Sequence, residues 1–272
     1  MIIQHNIAAI NSYRNLGVNQ SGLNKNLEKL SSGYRINRAG DDAAGLAISE
    51  AMRSQINGLN QATKNANDAI GLIQTAEGAL TETHSMLQRL TTLATQSANG
   101  TYNTVARGNL QKEVDALISE IDRIANNTDF NGIKPIESGS DDALMTFQIG
   151  PSAAETIEVE RGDMTASGIG VSSVNVETLS DGNAAIDTIA DAIDYVSEHR
   201  AKLGAAQNRL EHTVNNLKVT SENITAAESR IRDTDMADEI TAFTKNNILL
   251  QASQSMLAQS NSVPQSVLSL LG

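Results

Sequence analysis

The stretch from Met52 to Ala94 reads MRSQINGLNQATKNANDAIGLIQTAEGALTETHSMLQRLTTLA and contains no proline. Its seventh positions are apolar throughout, as Met52, Leu59, Ala66, Ile73, Leu80, Leu87 and Ala94. A second row, offset by four residues, reads Ile48, Gln55, Ala62, Ala69, Ala76, Thr83 and Leu90. A seam sustained over about six heptads is typical of a long helix that packs against partner helices. The stretch therefore predicts one arm of a helical bundle or coiled coil.

The second half of the chain carries a matching seam. Its seventh positions are again apolar, as Ile189, Val196, Leu203, Leu210, Leu217, Ile224 and Ile231. Because the prolines are Pro135, Pro151 and Pro264, neither seam contains the main helix breaker. Two helices of about 50 residues would each be about 75 Å long, with one stripe to be covered by a neighbour. We predict that the two arms pair as antiparallel helices.

A third, shorter helix is predicted from about Val105 to Ala125, after a turn at Asn99-Gly100. Its seam consists of Leu110, Val114, Leu117, Ile121 and Ile124. This helix would complete the bundle.

Residues 130–180 differ in character from the helical arms. Apolar and polar residues alternate around Phe147, and again from Ile157 to Val159, which predicts two short strands in a hairpin. The glycines Gly162, Gly168 and Gly170 indicate a loop after the hairpin. The predicted fold class is therefore mainly α, a long antiparallel bundle with a small β-hairpin region.

The two chain ends form a separate predicted unit. Residues 1–40 are net basic and residues 233–272 are net acidic in a chain whose net charge is −12. Each end has its own narrow seam, with Leu16, Leu23, Leu27 and Leu30 at one end and Met236, Phe243, Leu250 and Leu257 at the other. The C-terminal register restarts five residues after Ile231, so a helix break is expected near Asp233 to Asp235. We predict that the ends pair as a two-helix coiled coil, which copies of the chain would order by packing.

Composition excludes several classes of function. The acidic balance argues against nucleic acid and anionic membranes as partners, and the absence of cysteine excludes disulfides and thiolate chemistry. No apolar run reaches the length of about 20 residues that a membrane span needs, and no cleavable signal peptide is recognisable at the N-terminus.

His199 and His212 point to nearly opposite sides of a helix, so no metal site is expected. We expect Asp41 and Asp42 to cap the start of the long helix, where a negative charge also interacts favourably with the helix dipole. We predict neither an enzyme nor a cofactor.

Four segments closely resemble bacterial flagellins. These are LSSGYRINRAGDDAAGLAI from Leu30 to Ile48, the block from Gln61 to Leu80, Asn126 to Gly132, and VPQSVLSLLG from Val263 to Gly272. The matches are colinear and lie in both arms, which makes them far more specific than a short motif.

The resemblance implies a fold of two parts and a minimal form without large variable outer domains. The inner polymerisation domain would consist of residues 1–43 and 233–272. The rod domain would consist of residues 44–180, with two helices and the hairpin region, and of the helix in residues 181–232. The polymerisation core would include Leu16, Leu23, Leu27, Leu30, Phe243, Leu250 and Leu257.

The resemblance also implies a function and partners. The chain would be the structural subunit of an extracellular flagellar filament for motility, and its main partner would be itself, in a helical homopolymer. It would be exported through the flagellar type III apparatus without a cleaved signal peptide. An export chaperone, the filament cap and the hook-filament junction proteins would be further partners.

Host recognition is a second implied activity. Many flagellins are ligands of animal Toll-like receptor 5, and the matching positions are Gln88, Arg89 and Leu93 on the first long helix and Glu113 on the next. Arg89 and Leu93 are four residues apart, which suggests a shared face. Cytosolic inflammasome sensors would recognise Leu268, Leu270 and Leu271.

Two other functions compete with the filament subunit. A hook-filament junction adapter shares the design of the termini, and a soluble coiled-coil scaffold would explain the heptads without polymerisation. The scaffold predicts self-sufficient termini, whereas the filament subunit predicts ends that are completed by assembly.

Overall fold

The computed structural model describes residues 5–137 and 144–271, and of residues 265–271 it describes the backbone alone. Its helices are α1 (Ile7–Ser32), α2 (Ala43–Ser97), α3 (Thr104–Asn127), α4 (Leu179–Arg232) and α5 (Met236–Leu271). The strands are β1 (Leu144–Gln148) and β2 (Thr156–Glu160). The predicted fold class is confirmed, as are the long arms, the short third helix and the helix break before Met236.

The chain divides into two compact units. The terminal unit consists of Met1–Ile56 and Glu222–Gly272, and the central unit consists of Asn57–Ser221. These divisions fall well inside α2 and α4, whereas the boundaries predicted from the sequence fall within two residues of helix ends. The assignment of residues to an inner domain and a rod domain stays a prediction.

In the central unit, α2 and α4 run antiparallel as a bundle. Gly182 of α4 lies against the end of α2, Arg200 pairs with Glu77 at 3.6 Å, and the Ser221 hydroxyl donates to Asn60 at 3.2 Å. As the residue number rises in one helix it falls in the other. The predicted seams are buried here, from Leu59 to Ala94 in α2 and from Ile189 to Leu217 in α4. Nearly all of the core is aliphatic, because only 3% of the residues of the chain are aromatic.

Helix α3 packs antiparallel to α2 and closes the bundle. Its Arg107 donates through Nε to the Ser97 carbonyl at 2.9 Å, and Val114, Ile121 and Ala125 are buried. The Asn103 side chain accepts from the Ala106 amide at 2.8 Å and so caps the start of α3.

The β region is an antiparallel hairpin that lies beside both long helices. The hairpin predicted from the alternation is confirmed, and Phe147 is opposite Ile157 in its register. The Asn65 amide of α2 donates to the Gln148 carbonyl at 3.1 Å, and Lys202 of α4 lies 3.4 Å from Glu160.

The segment after the hairpin is a loop, as the glycines predicted, but it also belongs to the core. It buries Met164, Ala166, Ile169, Val171, Val174 and Val176. Side chains of α3 satisfy its backbone: Asp122 accepts from the Ala166 amide at 2.7 Å, and Gln111 accepts from the Val176 amide at 2.7 Å. Irregular backbone can be buried when its polar groups find such partners.

Candidate assembly surface

In the terminal unit, α1 and α5 form an antiparallel pair. The Asn6 amide donates to the Ser260 carbonyl at 2.8 Å, Asn19 donates to the Ser253 hydroxyl at 2.8 Å, and Lys29 lies 3.8 Å from Glu239. The predicted pairing of the two chain ends is thus observed in the described residues. Asparagine and serine side chains thus take part in this contact beside the Lys29–Glu239 ion pair.

Most of the predicted seam lies between these two helices. Leu16, Leu23 and Leu30 of α1 are half-buried, and so are their counterparts Phe243, Leu250 and Leu257 of α5. Leu27 and Met236 differ from the other predicted seam residues, because 55% and 45% of their surfaces are exposed. A two-helix pair covers each seam from one side only, which explains why these side chains stay half-buried.

Large apolar side chains remain exposed on the other faces of both helices. They are Ile7, Ile10, Tyr13, Val18 and Leu27 in α1, and Ile240, Ile248, Leu249, Met256 and Val263 in α5. Single exposed apolar residues are ordinary on a protein surface, but a concentration of them marks an interaction site. Apart from Leu27, the sequence reasoning missed these outer residues because it followed one seam per helix. The spacing of Ile248, Ala252 and Met256 was the available signal.

A short ladder ties the end of α1 to the end of α4. The Arg35 amide donates to the Arg232 carbonyl at 2.7 Å, and the Thr234 amide donates to the Gly33 carbonyl at 3.1 Å. Gly33 has φ +73°, a conformation that favours glycine and turns the chain out of α1. The Arg232 guanidinium lies 4.7 Å from the Tyr34 ring centroid, in a cation-π contact.

Three acidic residues make hydrogen bonds in the loop before α2, at its start and in its first turns. Asp42 accepts from the Gly45 amide at 2.9 Å, which confirms the expected cap. Asp41 accepts from the Asn37 and Arg38 amides, and these bonds lower the pKa of its carboxyl group. Glu50 accepts from Arg232 at 2.6 Å, and this hydrogen bond lowers the pKa of Glu50.

The predicted receptor-binding residues lie in the central unit. Arg89 of α2 donates through Nε to Glu113 of α3 at 2.8 Å, and both side chains are about half-exposed. Gln88 is also exposed and lies 3.0 Å from His84.

Leu93 does not join this surface. Its exposed fraction is 0%, because four residues along a helix advance it by about 40°, enough to turn Leu93 from the face of Arg89 into the core. The expectation that the two side chains form one exposed face is therefore wrong.

The predicted sensor-binding leucines Leu268, Leu270 and Leu271 are in the last turns of α5, and their side chains lie outside the described residues. Within the described parts of the chain, no group of three or more histidine and carboxylate side chains could hold a metal ion. None of the described helices combines the length and hydrophobicity of a bilayer-spanning segment.

Long helices with an aliphatic core, together with a terminal helix pair that leaves apolar groups exposed, are typical of a filament-forming structural protein. Residues 3–143 match the family profile of the bacterial flagellin N-terminal helical region, and residues 186–271 match that of the C-terminal helical region. The chain belongs to the flagellin family. Its members are structural subunits of the flagellar filament for motility and not enzymes.

Individual relatives agree over the whole length. The chain is 51% identical over 273 residues to a flagellin of Halalkalibacterium halodurans, with all of both chains aligned. It is 49% identical over 285 residues to the flagellar filament 33 kDa core protein of Treponema phagedenis, again with all of both chains aligned. These alignments fit a short flagellin without a large outer domain. The crystal structure of Bacillus cereus flagellin matches with a TM-score of 0.52 and 29% identity, over 61% of this chain and 94% of that one.

Proposed function

We propose that the outer faces of α1 and α5 are the surface through which copies of this chain join into the filament. The observation that supports this proposal is the concentration of large exposed apolar side chains on these two helices. Examples are Ile10, Tyr13, Ile248 and Met256. Full burial of one such side chain stabilises an interface by about 1.5–3 kcal/mol. Several of them together supply enough for polymerisation after the entropy of association is met.

The predicted inner core fits this proposal in two layers. Leu16, Leu23, Leu30 and their partners in α5 hold the helix pair within one subunit, whereas Leu27 belongs to the outer, intersubunit layer. On this reading residues 1–43 and 233–272 form the inner polymerisation domain and residues 44–232 the rod domain.

Electron microscopy of the intact chain and of a chain that lacks residues 1–40 and 233–272 tests this assignment. With filament seeds or precipitating salt, the intact chain should form long filaments and the shortened chain should not. Filaments from both chains would overturn the proposal. Compact particles from both would favour the soluble coiled-coil scaffold. Ordered capping of filament ends without growth would favour the junction adapter.

The filament would be extracellular, and the chain would reach it by type III export. An export chaperone would cover α5 before assembly, because its exposed apolar face would otherwise aggregate. The cap and the hook-filament junction proteins would meet the same terminal helices. Binding of the chaperone to the intact chain, and its loss when residues 233–272 are deleted, tests the first of these partners.

A second function, recognition by Toll-like receptor 5, is favoured by the pair Arg89 and Glu113. These side chains bridge two neighbouring helices and keep about half of their surface exposed, so an Arg anchor is held in a fixed geometry. Gln88 would extend the site. Leu93 would act only indirectly, by packing beneath the surface.

Binding to the receptor ectodomain tests this function with a matched pair of variants. Arg89→Ala should weaken binding at least about tenfold, which corresponds to about 1.4 kcal/mol. Arg123→Ala is the control, because Arg123 pairs with Glu120 on the exposed side of α3 at 2.7 Å. Equal binding by the two variants and the unchanged chain would contradict the proposal.

Recognition of Leu268, Leu270 and Leu271 by cytosolic sensors remains a separate proposal, carried by the family resemblance. Replacement of the three leucines by alanine should abolish sensor activation in a reporter assay while receptor binding through Arg89 is retained.

A further inference from the structure

The methionine side chains of this chain differ sharply in exposure. Met145 and Met164 are buried in the central unit, and Met52 and Met86 are half-buried. Met256 is 61% exposed and Met236 is 45% exposed, and both belong to α5. Because oxidation of a thioether follows its accessibility, α5 carries the first described sites that a dissolved oxidant would reach.

Met256 also lies within the outer apolar face of α5. At about 100° per residue, the side chains of Ile248, Leu249, Ala252, Met256 and Val263 fall within an arc of about 100°. The half-buried Leu257, which faces α1, lies about 100° around the helix from Met256 and outside this arc. Met256 is therefore directed away from α1, among the residues assigned above to contact with a second copy.

We propose that Met256 is an oxidation site at which a peroxide-class oxidant blocks the joining of a second copy of this chain. The inference rests on the proposed assembly surface. In the reaction the thioether sulfur attacks one oxygen of hydrogen peroxide and the O–O bond breaks. A sulfur–oxygen bond forms, and the released hydroxide takes the proton of the transferred oxygen to give water. The sulfur loses two electrons, and the peroxide is reduced.

The chemical change is well placed to act on assembly. A flexible apolar side chain becomes a polar, chiral sulfoxide, whose oxygen would lose its hydration when a second copy covers it. The product is reversible by methionine sulfoxide reductases, so subunits blocked in this way can be restored. Once the filament has formed, the same contact would shield Met256 from oxidant.

The test treats the intact monomer with hydrogen peroxide, locates sulfoxides by peptide mass spectrometry, and measures seeded polymerisation. Oxidation should appear at Met256 and Met236 before Met145 and Met164. The critical concentration for assembly should rise at least about tenfold, the effect expected when one well-buried contact is lost. Treatment with methionine sulfoxide reductases should return the critical concentration to its original value. Met256 in preformed filaments should be oxidised much more slowly than in monomer.

Two conservative variants assign the effect to one residue. Met256→Leu should polymerise normally both before and after treatment with oxidant. Met236→Leu should polymerise normally before treatment and, like the unchanged chain, lose assembly after it. Equal sensitivity of Met256→Leu and the unchanged chain would overturn the inference, and so would normal assembly of monomer fully oxidised at Met256. Failure of the untreated chain to polymerise would instead overturn the assembly surface on which the inference rests.

Discussion

Arg232 makes three different contacts at the point where α4 ends. Its carbonyl accepts from the Arg35 amide, its guanidinium binds Glu50, and the same guanidinium stacks on Tyr34. Arginine suits such a position because its planar charge can stack and hydrogen-bond at once. The residue thus links the two separate chain segments of the terminal unit.

Arg232→Gln should loosen this ladder. The variant loses the stacking on Tyr34 and the positive charge that binds Glu50. The backbone amides of Arg35 and Thr234 should therefore exchange with deuterium several-fold faster. Arg230→Gln, a change in the same last turn of α4, is the control. Because the Arg232 hydrogen bond lowers the pKa of Glu50, the pair's contribution is present above the ordinary carboxyl pKa of about 4.3 and is lost as pH falls through the lowered value. Unchanged exchange in Arg232→Gln would show that the ladder holds without the side chain.

His199 is a buried titratable side chain in the central core. Its ring lies against Gly162, and its Nε2 has no hydrogen-bond partner in the described part of the chain. Burial lowers the pKa of His199, the charge of Lys202 lowers it further, and Glu160 and Glu198 act in the opposite direction. The imidazole is therefore kept neutral in the fold.

The central unit should consequently lose stability in mild acid. Below the ordinary histidine pKa of about 6.5, the unfolded chain binds a proton that the folded chain resists. The free energy of unfolding therefore decreases as the pH is lowered, by at most about 1.4 kcal/mol per pH unit. Urea unfolding at pH 8 and pH 5 measures this. His199→Gln should flatten the dependence, whereas His212→Gln, on an exposed position of the same helix, should leave it unchanged. A flat profile in the unchanged chain would contradict the expectation.

At the scale of elements, α2 and α4 could be predicted closely because a buried seam leaves a regular mark on the sequence. The two strands of the hairpin followed from alternation, and the helix break at Asp233 to Asp235 followed from a change of phase. The core role of the loop containing Met164 and Val176 could not be read in this way, since its burial depends on partners in α3 that are distant in sequence. The direction of Leu93 was missed for a related reason: a spacing of four residues gives proximity but not which neighbour covers the side chain.

Two glycines of α4 should respond oppositely to alanine. At Gly204 a Cβ would meet nothing within 4 Å, so Gly204→Ala should raise the free energy of unfolding by about 0.5–1 kcal/mol. At Gly182 a Cβ would lie 3.1 Å from the Ala98 backbone nitrogen, where no flexible side chain can move aside. Gly182→Ala should therefore destabilise the chain in spite of the better helix propensity. Thermal unfolding of the monomers decides, and stabilisation by both changes would contradict the close packing of α4 on the end of α2.

At the scale of the whole molecule, the two units divide their apolar residues differently. The central unit buries its seam within a bundle of long helices, and the terminal unit leaves half-buried seams and exposed outer faces. The sequence indicated this division, because the terminal seams are narrow and rich in asparagine, glutamine and serine. It could not indicate which exposed residues meet another copy, since that surface is defined by a partner and not by the chain's own core.

The critical concentration for seeded polymerisation, measured by sedimentation, tests the central claim most directly. Ile248 lies on the outer face of α5, and Val105 of the central unit is even more exposed, at 75% against 62%. Ile248→Gln should raise the critical concentration at least about tenfold through loss of one buried side chain, while Val105→Gln should leave it unchanged. Equal critical concentrations for the two variants and the unchanged chain would contradict assembly through the outer faces of the terminal helices.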